Sequence, residues 1–178
     1  MTTPLTDTEL DRLNHADDAL AAELLLPFIE RAPQVAELVA QHRPFASPDA
    51  IARSIQTAIQ TLPEDDLFSL FRAHPELAPP TPETMTRASQ EEQGRLGLDA
   101  PDAALTARFT QLNTEYQTRF GFPFILALHR MSGVSEVLQV FEDRLKRTRD
   151  AEIKQAVAEI ASVSAARVTK AFGEAGHR

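Results

Sequence analysis

The apolar residues of this chain recur at helical spacing, and its twelve prolines fall mostly between the recurrences. Proline breaks a helix interior, and the residue before it avoids the helical region. The pattern therefore predicts many short helices joined by stiff turns. No segment of convincing length alternates apolar and polar residues with period two, so no strand is expected. The predicted fold class is all-α, a single compact multi-helix domain spanning residues 1–178, with helix stacked on helix.

The segments follow one another along the chain. Asp17 to Glu30 reads as a helix with Leu20, Leu24 and Phe28 on one stripe, ended early or kinked by Pro27. Pro33 opens the next, through about Gln41. Ser47-Pro48-Asp49 supplies an N-cap, a first-turn proline and an acidic first turn to a helix with Ile51, Ile55, Ala58, Ile59 and Leu62 on one face. Pro63-Glu64 starts a helix with Leu67, Leu70 and Phe71 inward, ending at His74-Pro75. Further helices are expected over Pro82–Gly94, Pro101–Arg119, Val134–Arg147 and Ala151–Phe172. Phe120-Gly121-Phe122-Pro123 breaks the pattern, and Phe124–Leu128 is an apolar run of open conformation.

Composition excludes several chemistries. With no cysteine, disulfides, thiolate nucleophiles and Cys-ligated metals are ruled out. No two histidines stand in an H-x-x-x-H pair, so no dedicated metal site is expected. Glycine-rich phosphate loops and the G-x-S-x-G elbow are absent, and no nucleotide or other cofactor is expected. A net charge of -8 argues against nucleic acid as a partner; Arg144, Lys146, Arg147 and Arg149 read as solvated helix faces. No apolar run approaches the length of a membrane span. Met1–Leu10 lacks the pattern of a secretory signal, and Gly176-His177-Arg178 is no peroxisomal tripeptide, so a cytoplasmic protein is expected.

Three helices place polar residues where the pattern calls for apolar ones, and such breaks are frequent at functional sites. His74 lies three residues after Phe71 and seven after Leu67; it reads as a site residue or as a C-terminal cap. Met85, Ser89, Glu92 and Leu96 share a face, with Gln93 beside them; Glu92 lines a pocket or reaches solvent. On the last helix Ile153, Val157, Ile160 and Ser164 mark the expected inward stripe. Arg167 continues it and either meets an anion or snorkels outward. Together a histidine, a carboxylate with hydrogen-bonding neighbours and an arginine predict a small polar pocket suited to acid–base chemistry.

These positions carry a resemblance. Phe71-Arg72-Ala73-His74-Pro75-Glu76-Leu77, Ser89-Gln90-Glu91-Glu92-Gln93 with Gly97-Leu98, and Leu112-Asn113, Tyr116 and Phe120-Gly121-Phe122-Pro123-Phe124-Ile125 resemble, in order, the motifs of the 2-oxo-4-hydroxy-4-carboxy-5-ureidoimidazoline (OHCU) decarboxylase family. Weaker echoes lie in Leu13-Asn14, Ala32-Pro33 and Arg43-Pro44-Phe45. The resemblance implies a helical homodimer without metal or organic cofactor, converting OHCU to (S)-allantoin in urate degradation. It gives His74 and Glu92 the catalytic places. Pro75, Ser89, Gln90, Glu91, Gln93, the backbone of Phe124, Ile125, Leu126, Ala127 and Leu128, and Arg167 take the substrate-binding ones. The chain departs from the family pattern at Gln34, where a tryptophan is common, at Leu96, and at His129, where another basic residue is common. Two other readings stand beside this one: a related enzyme of another ureido or imidazoline acid, and a non-enzymatic helical interaction module.

Overall fold

The computed structural model describes residues 5–172; what is expected of Met1–Pro4 and of Gly176-His177-Arg178 lies outside them. Among the described residues there are nine α-helices and three 3-10 turns, and no strand. No helix among them is long and apolar enough to cross a membrane. The chain divides into two units, one formed by the segment up to Leu67 and that from Ala161 onward, the other by Phe68–Ile160.

The first unit begins with α1 (Leu5–His15), which the sequence reading does not predict. Its periodic signal is weak, with Leu13 its one buried apolar side chain among residues 9–15. α2 (Asp18–Leu25) is capped by Asp17, whose carboxylate accepts from the Leu20 N–H at 2.8 Å. The helix stops at Leu25, and the 3-10 turn Leu26–Phe28 takes over with Pro27 near its start, as proline dictates. Ala21 and Leu25 are buried, whereas Leu20 and Leu24 are half-buried. The inward face is thus one residue displaced from the expected stripe, turned toward α3 (Pro33–Ala40), on which α2 packs.

α4 (Pro48–Gln60) forms as its sequence requires. Ser47 caps it, accepting from Ala50 N–H at 3.2 Å, and Ile51, Ile55, Ala58 and Ile59 are buried. Two of the weaker echoes meet here: Asn14 donates to the Phe45 carbonyl at 2.9 Å and accepts from the Phe45 N–H at 2.8 Å. Arg43 reaches the Ala16 carbonyl at 2.7 Å and the Asp18 carboxylate.

The second unit is built around aromatic rings. α7 (Ala103–Phe120), capped by Asp102, carries Tyr116 into its centre. Phe120, Phe122, Phe124 and Phe141 lie 4.5 to 5.9 Å from that ring. Phe124 stacks on Phe141 of α8 (Val134–Leu145) at 3.8 Å. Gly121, at φ 84, ends α7 in the left-handed region that glycine tolerates, and the chain turns into the buried segment Phe124–Leu128. In α5 (Glu64–Ala73) Phe68 is buried beside Phe71 and Phe122, and Leu67 is half-buried, reversing their expected order.

Two further expectations change. The helix expected over Pro82–Gly94 is a 3-10 turn, Pro82–Thr84, followed by α6 (Arg87–Gly94), because Thr86 caps the Ser89 N–H and starts the helix afresh. α9 (Arg149–Phe172) buries Glu152, Ala156, Glu159, Ile160, Ser164 and Val168. Ile153 and Val157, expected inward, are half-buried. Two glutamates occupy the face that apolar periodicity had assigned to isoleucine and valine.

Candidate active site

His74 stands just past α5, since Pro75 bars it from continuing the helix. Its backbone N–H reaches the Phe71 carbonyl at 3.1 Å, and its ring folds back so that Nδ1 lies 2.8 Å from the Leu70 carbonyl. A carbonyl only accepts, so Nδ1 carries the proton. In the neutral ring Nε2 is then the basic nitrogen. His74 and Pro75 are half-buried.

The loop behind His74 is fixed by amide side chains. Gln93 accepts from the Ala78 N–H and donates to the Glu76 carbonyl, both at 2.8 Å. Asn113 donates to the Leu77 carbonyl at 2.9 Å, and Gln117 donates to the Glu76 carboxylate. Ala78 sits at φ 48, a left-handed conformation that costs an alanine about 1–2 kcal/mol. The four hydrogen bonds from these three amide side chains hold that conformation in place.

The five motif residues of α6 divide by face. Ser89 and Gln93 are buried and Glu92 is half-buried, whereas Gln90 and Glu91 are exposed. Gln90 donates to the Met85 carbonyl at 2.9 Å, and Glu91 pairs with Arg87 at 3.1 Å. Through Gln93, α6 grips the loop after His74, and Arg95 just past its end donates to the carbonyls of Leu128 and Met131. The 3-10 turn Leu128–Arg130 packs on α6 and carries the exposed His129. Partial burial and then the Arg130 charge lower the His129 pKa below its ordinary value, against the charges of Glu92 and Glu159, which act to raise it. Within the second unit, α6 and the residue after it thus touch the loop that follows His74 and the Leu128 end of the 124–128 segment.

Phe124–Leu128 is supported from behind by charged side chains. Arg144 donates to the Ile125 carbonyl at 2.6 Å and to Glu152 from Nε and Nη2 at 2.9 and 2.7 Å; its guanidinium lies 4.5 Å from the centre of the Phe124 ring. The Arg144 and Glu152 side chains are 6% and 0% exposed, so the expected solvated face of Arg144 is overturned. Tyr116 donates to Glu152, and burial followed by this bond holds its phenol far above its ordinary range. Arg147 is half-buried and also pairs with Glu152; Lys146 and Arg149 are exposed, as expected. Two residues along, the Ala127 N–H donates to Glu159 at 2.7 Å, and Glu159 also accepts from Arg130 and Gln155. Burial works to raise the Glu159 pKa, but these three hydrogen bonds outweigh it and hold the carboxyl below its ordinary value.

Arg144 and Glu159 escape a reading by residue class, because charged side chains are ordinarily exposed. A signal existed: Arg144 falls seven residues after Val137 and three after Phe141, the inward phase of α8. Arg167 belongs to the first unit. It does not snorkel but meets an anion of the chain itself, donating to Glu30 at 3.0 Å, with the two side chains 10% and 1% exposed. Among the described residues no group of three or more His, Asp or Glu could hold a metal ion.

The fold is all-α, and a histidine just past α5 and a carboxylate on α6 are groups of the kind that acid–base enzymes use to move protons. The model of the OHCU decarboxylase family matches residues 14–169, and the chain belongs to that family. It is 34% identical over 164 residues to the 2-oxo-4-hydroxy-4-carboxy-5-ureidoimidazoline decarboxylase of Halalkalicoccus jeotgali, covering 92% of each chain. To the decarboxylase of that name from Mus musculus it is 30% identical over 171 residues, 95% of this chain and 96% of the other. A crystal structure of OHCU decarboxylase in the presence of (S)-allantoin shares the fold, with a TM-score of 0.67 at 17% identity over 89% of this chain and 99% of the other.

Proposed function

We propose that this protein is a carboxy-lyase that decarboxylates OHCU to allantoin in urate degradation, and that it forms the (S) enantiomer. Family membership and relatives at 30–34% identity over nearly full length support the reaction. The observation that carries the chemistry is the His74–Leu70 bond, which leaves Nε2 as the base nitrogen at the end of a half-buried helix.

The substrate bears a carboxylate and a hydroxyl on one ring carbon. When the bond to the carboxylate breaks, CO2 leaves and the electron pair moves into the adjacent ring C=N. The hydroxyl becomes a carbonyl as it gives up its proton, the ring nitrogen of the former C=N takes one, and the neighbouring carbon takes another on one face, so that one proton is taken up overall. His74 Nε2 receives the hydroxyl proton. Glu92 directs the proton that returns to carbon. Pro75 and Ser89 shape the wall, Gln93 acts through the loop it grips, and the peptide groups of Phe124, Ile125, Leu126, Ala127 and Leu128 meet the ring and ureido amides. Gln90 and Glu91, which face solvent in this structure, border the opening. Arg167 is assigned the substrate carboxylate on the family resemblance.

The chain is proposed to act as one domain, since the family match runs through both units, and as a cytoplasmic homodimer on the family resemblance. Light scattering on the purified protein tests the dimer. The activity is tested by generating OHCU in place from urate, adding this protein, and following optically active allantoin by circular dichroism. A signal above that of the spontaneous, non-stereoselective reaction is expected. If the signal stays flat while OHCU disappears at its spontaneous rate, the activity is not this one.

A further inference from the structure

The segment Phe124–Leu128 has no sheet to belong to, yet its backbone is held at defined points. The Ile125 carbonyl is taken by Arg144, the Ala127 N–H by Glu159, and the Leu128 carbonyl by Arg95. Ile125 and Ala127 are two residues apart, and the N–H and carbonyl of Leu126 lie between these two held points. Among the described residues these two groups have no hydrogen-bond partner, and the residue as a whole is only 7% exposed. Buried backbone groups are ordinarily paired, so this peptide is suited to a ligand with amide donors and acceptors.

We propose that Glu159 is a positioning residue: by capturing the Ala127 N–H it sets the register of the segment, so that the Leu126 peptide faces the ring or ureido amide of the substrate. The proposal rests on the OHCU reading above. Glu159 itself stays behind the segment and touches no reacting atom. Its Oε2 accepts from both Ala127 and Arg130, and its Oε1 accepts from Gln155. Arg144, locked to Glu152, fixes the neighbouring turn of the segment in the same sense. What the role requires is reach and an acceptor atom, and charge is secondary.

That requirement separates two variants. Glu159→Asp keeps the charge but withdraws the carboxylate by one methylene. Glu159→Gln keeps the length and an acceptor oxygen for the Ala127 N–H, and gives up only the Gln155 contact, since the Gln155 amide oxygen is held by Arg147. Misplacement by about 1 Å is enough to lower kcat/KM on the order of 10- to 10²-fold. The expected result is a loss of that size in Glu159→Asp, mostly as raised KM, with faster amide hydrogen exchange at Ala127 and eroded optical purity of the product. Glu159→Gln should rescue all but a few fold of it. An unchanged KM in Glu159→Asp, or equal impairment in both variants, overturns the proposal; equal impairment would assign Glu159 to its charge pairing with Arg130. A wild-type protein that does not turn over OHCU overturns the functional reading, and the exchange measurement then still judges the clamp alone.

Discussion

Arg167 and Glu30, 137 residues apart in sequence, form an ion pair of 3.0 Å with both side chains almost out of water. Breaking a buried pair by removing one partner leaves the other charge uncompensated, at a cost of roughly 3–5 kcal/mol. Arg167→Met is therefore expected to lower the melting temperature clearly, because it strands Glu30. Replacing both, as Glu30→Leu with Arg167→Met, should recover much of the loss, and a double-mutant cycle in urea measures the coupling. Arg167→Lys tests the functional assignment separately: a point charge cannot reproduce the guanidinium fork, so poor OHCU turnover in a folded protein is expected. Wild-type kcat/KM in that variant removes Arg167 from the site.

His74→Asn retains an N–H for the Leu70 carbonyl but has no basic nitrogen near neutrality. A rate loss of about 10²-fold or more is expected, on the usual scale of general acid–base catalysis, with little change in melting temperature. Glu92→Gln should also slow turnover and erode product chirality, read by circular dichroism. Near-normal rates in His74→Asn would take the histidine out of the chemistry.

No cluster with metal-ligand spacing exists among the described residues. Activity is accordingly expected to survive exhaustive dialysis against EDTA. A loss that one particular divalent ion restores would show that the site had been misread.

Acid should release the hold on Ala127. The Glu159 carboxyl sits below its ordinary value of 4.5: burial pushes it up, but Arg130, the Ala127 N–H and Gln155 push it down further. A group whose folded pKa is depressed stabilises fully above its unfolded pKa and loses that contribution as pH falls through the folded one. The wild type should thus exceed Glu159→Gln in urea midpoint at about pH 7, with the gap closing toward about pH 3. A gap independent of pH would mean that the carboxylate's charge contributes nothing there.

Several determinants were legible in the sequence because they are local. Ser47-Pro48-Asp49 specifies a capped helix start, Pro27 ends α2, and His74-Pro75 ends α5, each through hydrogen bonds or clashes within four residues. The ordered motifs around His74, Ser89 and Phe120 pointed to the family for the same reason, as short patterns read along one strand of text. Tertiary structure alone decided the rest. Whether a charged side chain is inside depends on a partner brought from elsewhere: Glu152 is buried because Arg144 and Tyr116 arrive to satisfy it, and Glu159 because Ala127 and Arg130 do. That the Gln93 amide holds the loop after His74 was visible only once that loop was folded against it. Arg167 looked uncompensated until folding delivered Glu30. Periodicity reports the energy of apolar burial, which is additive along a helix; the placement of charges follows from pairing across the fold, which no local window contains.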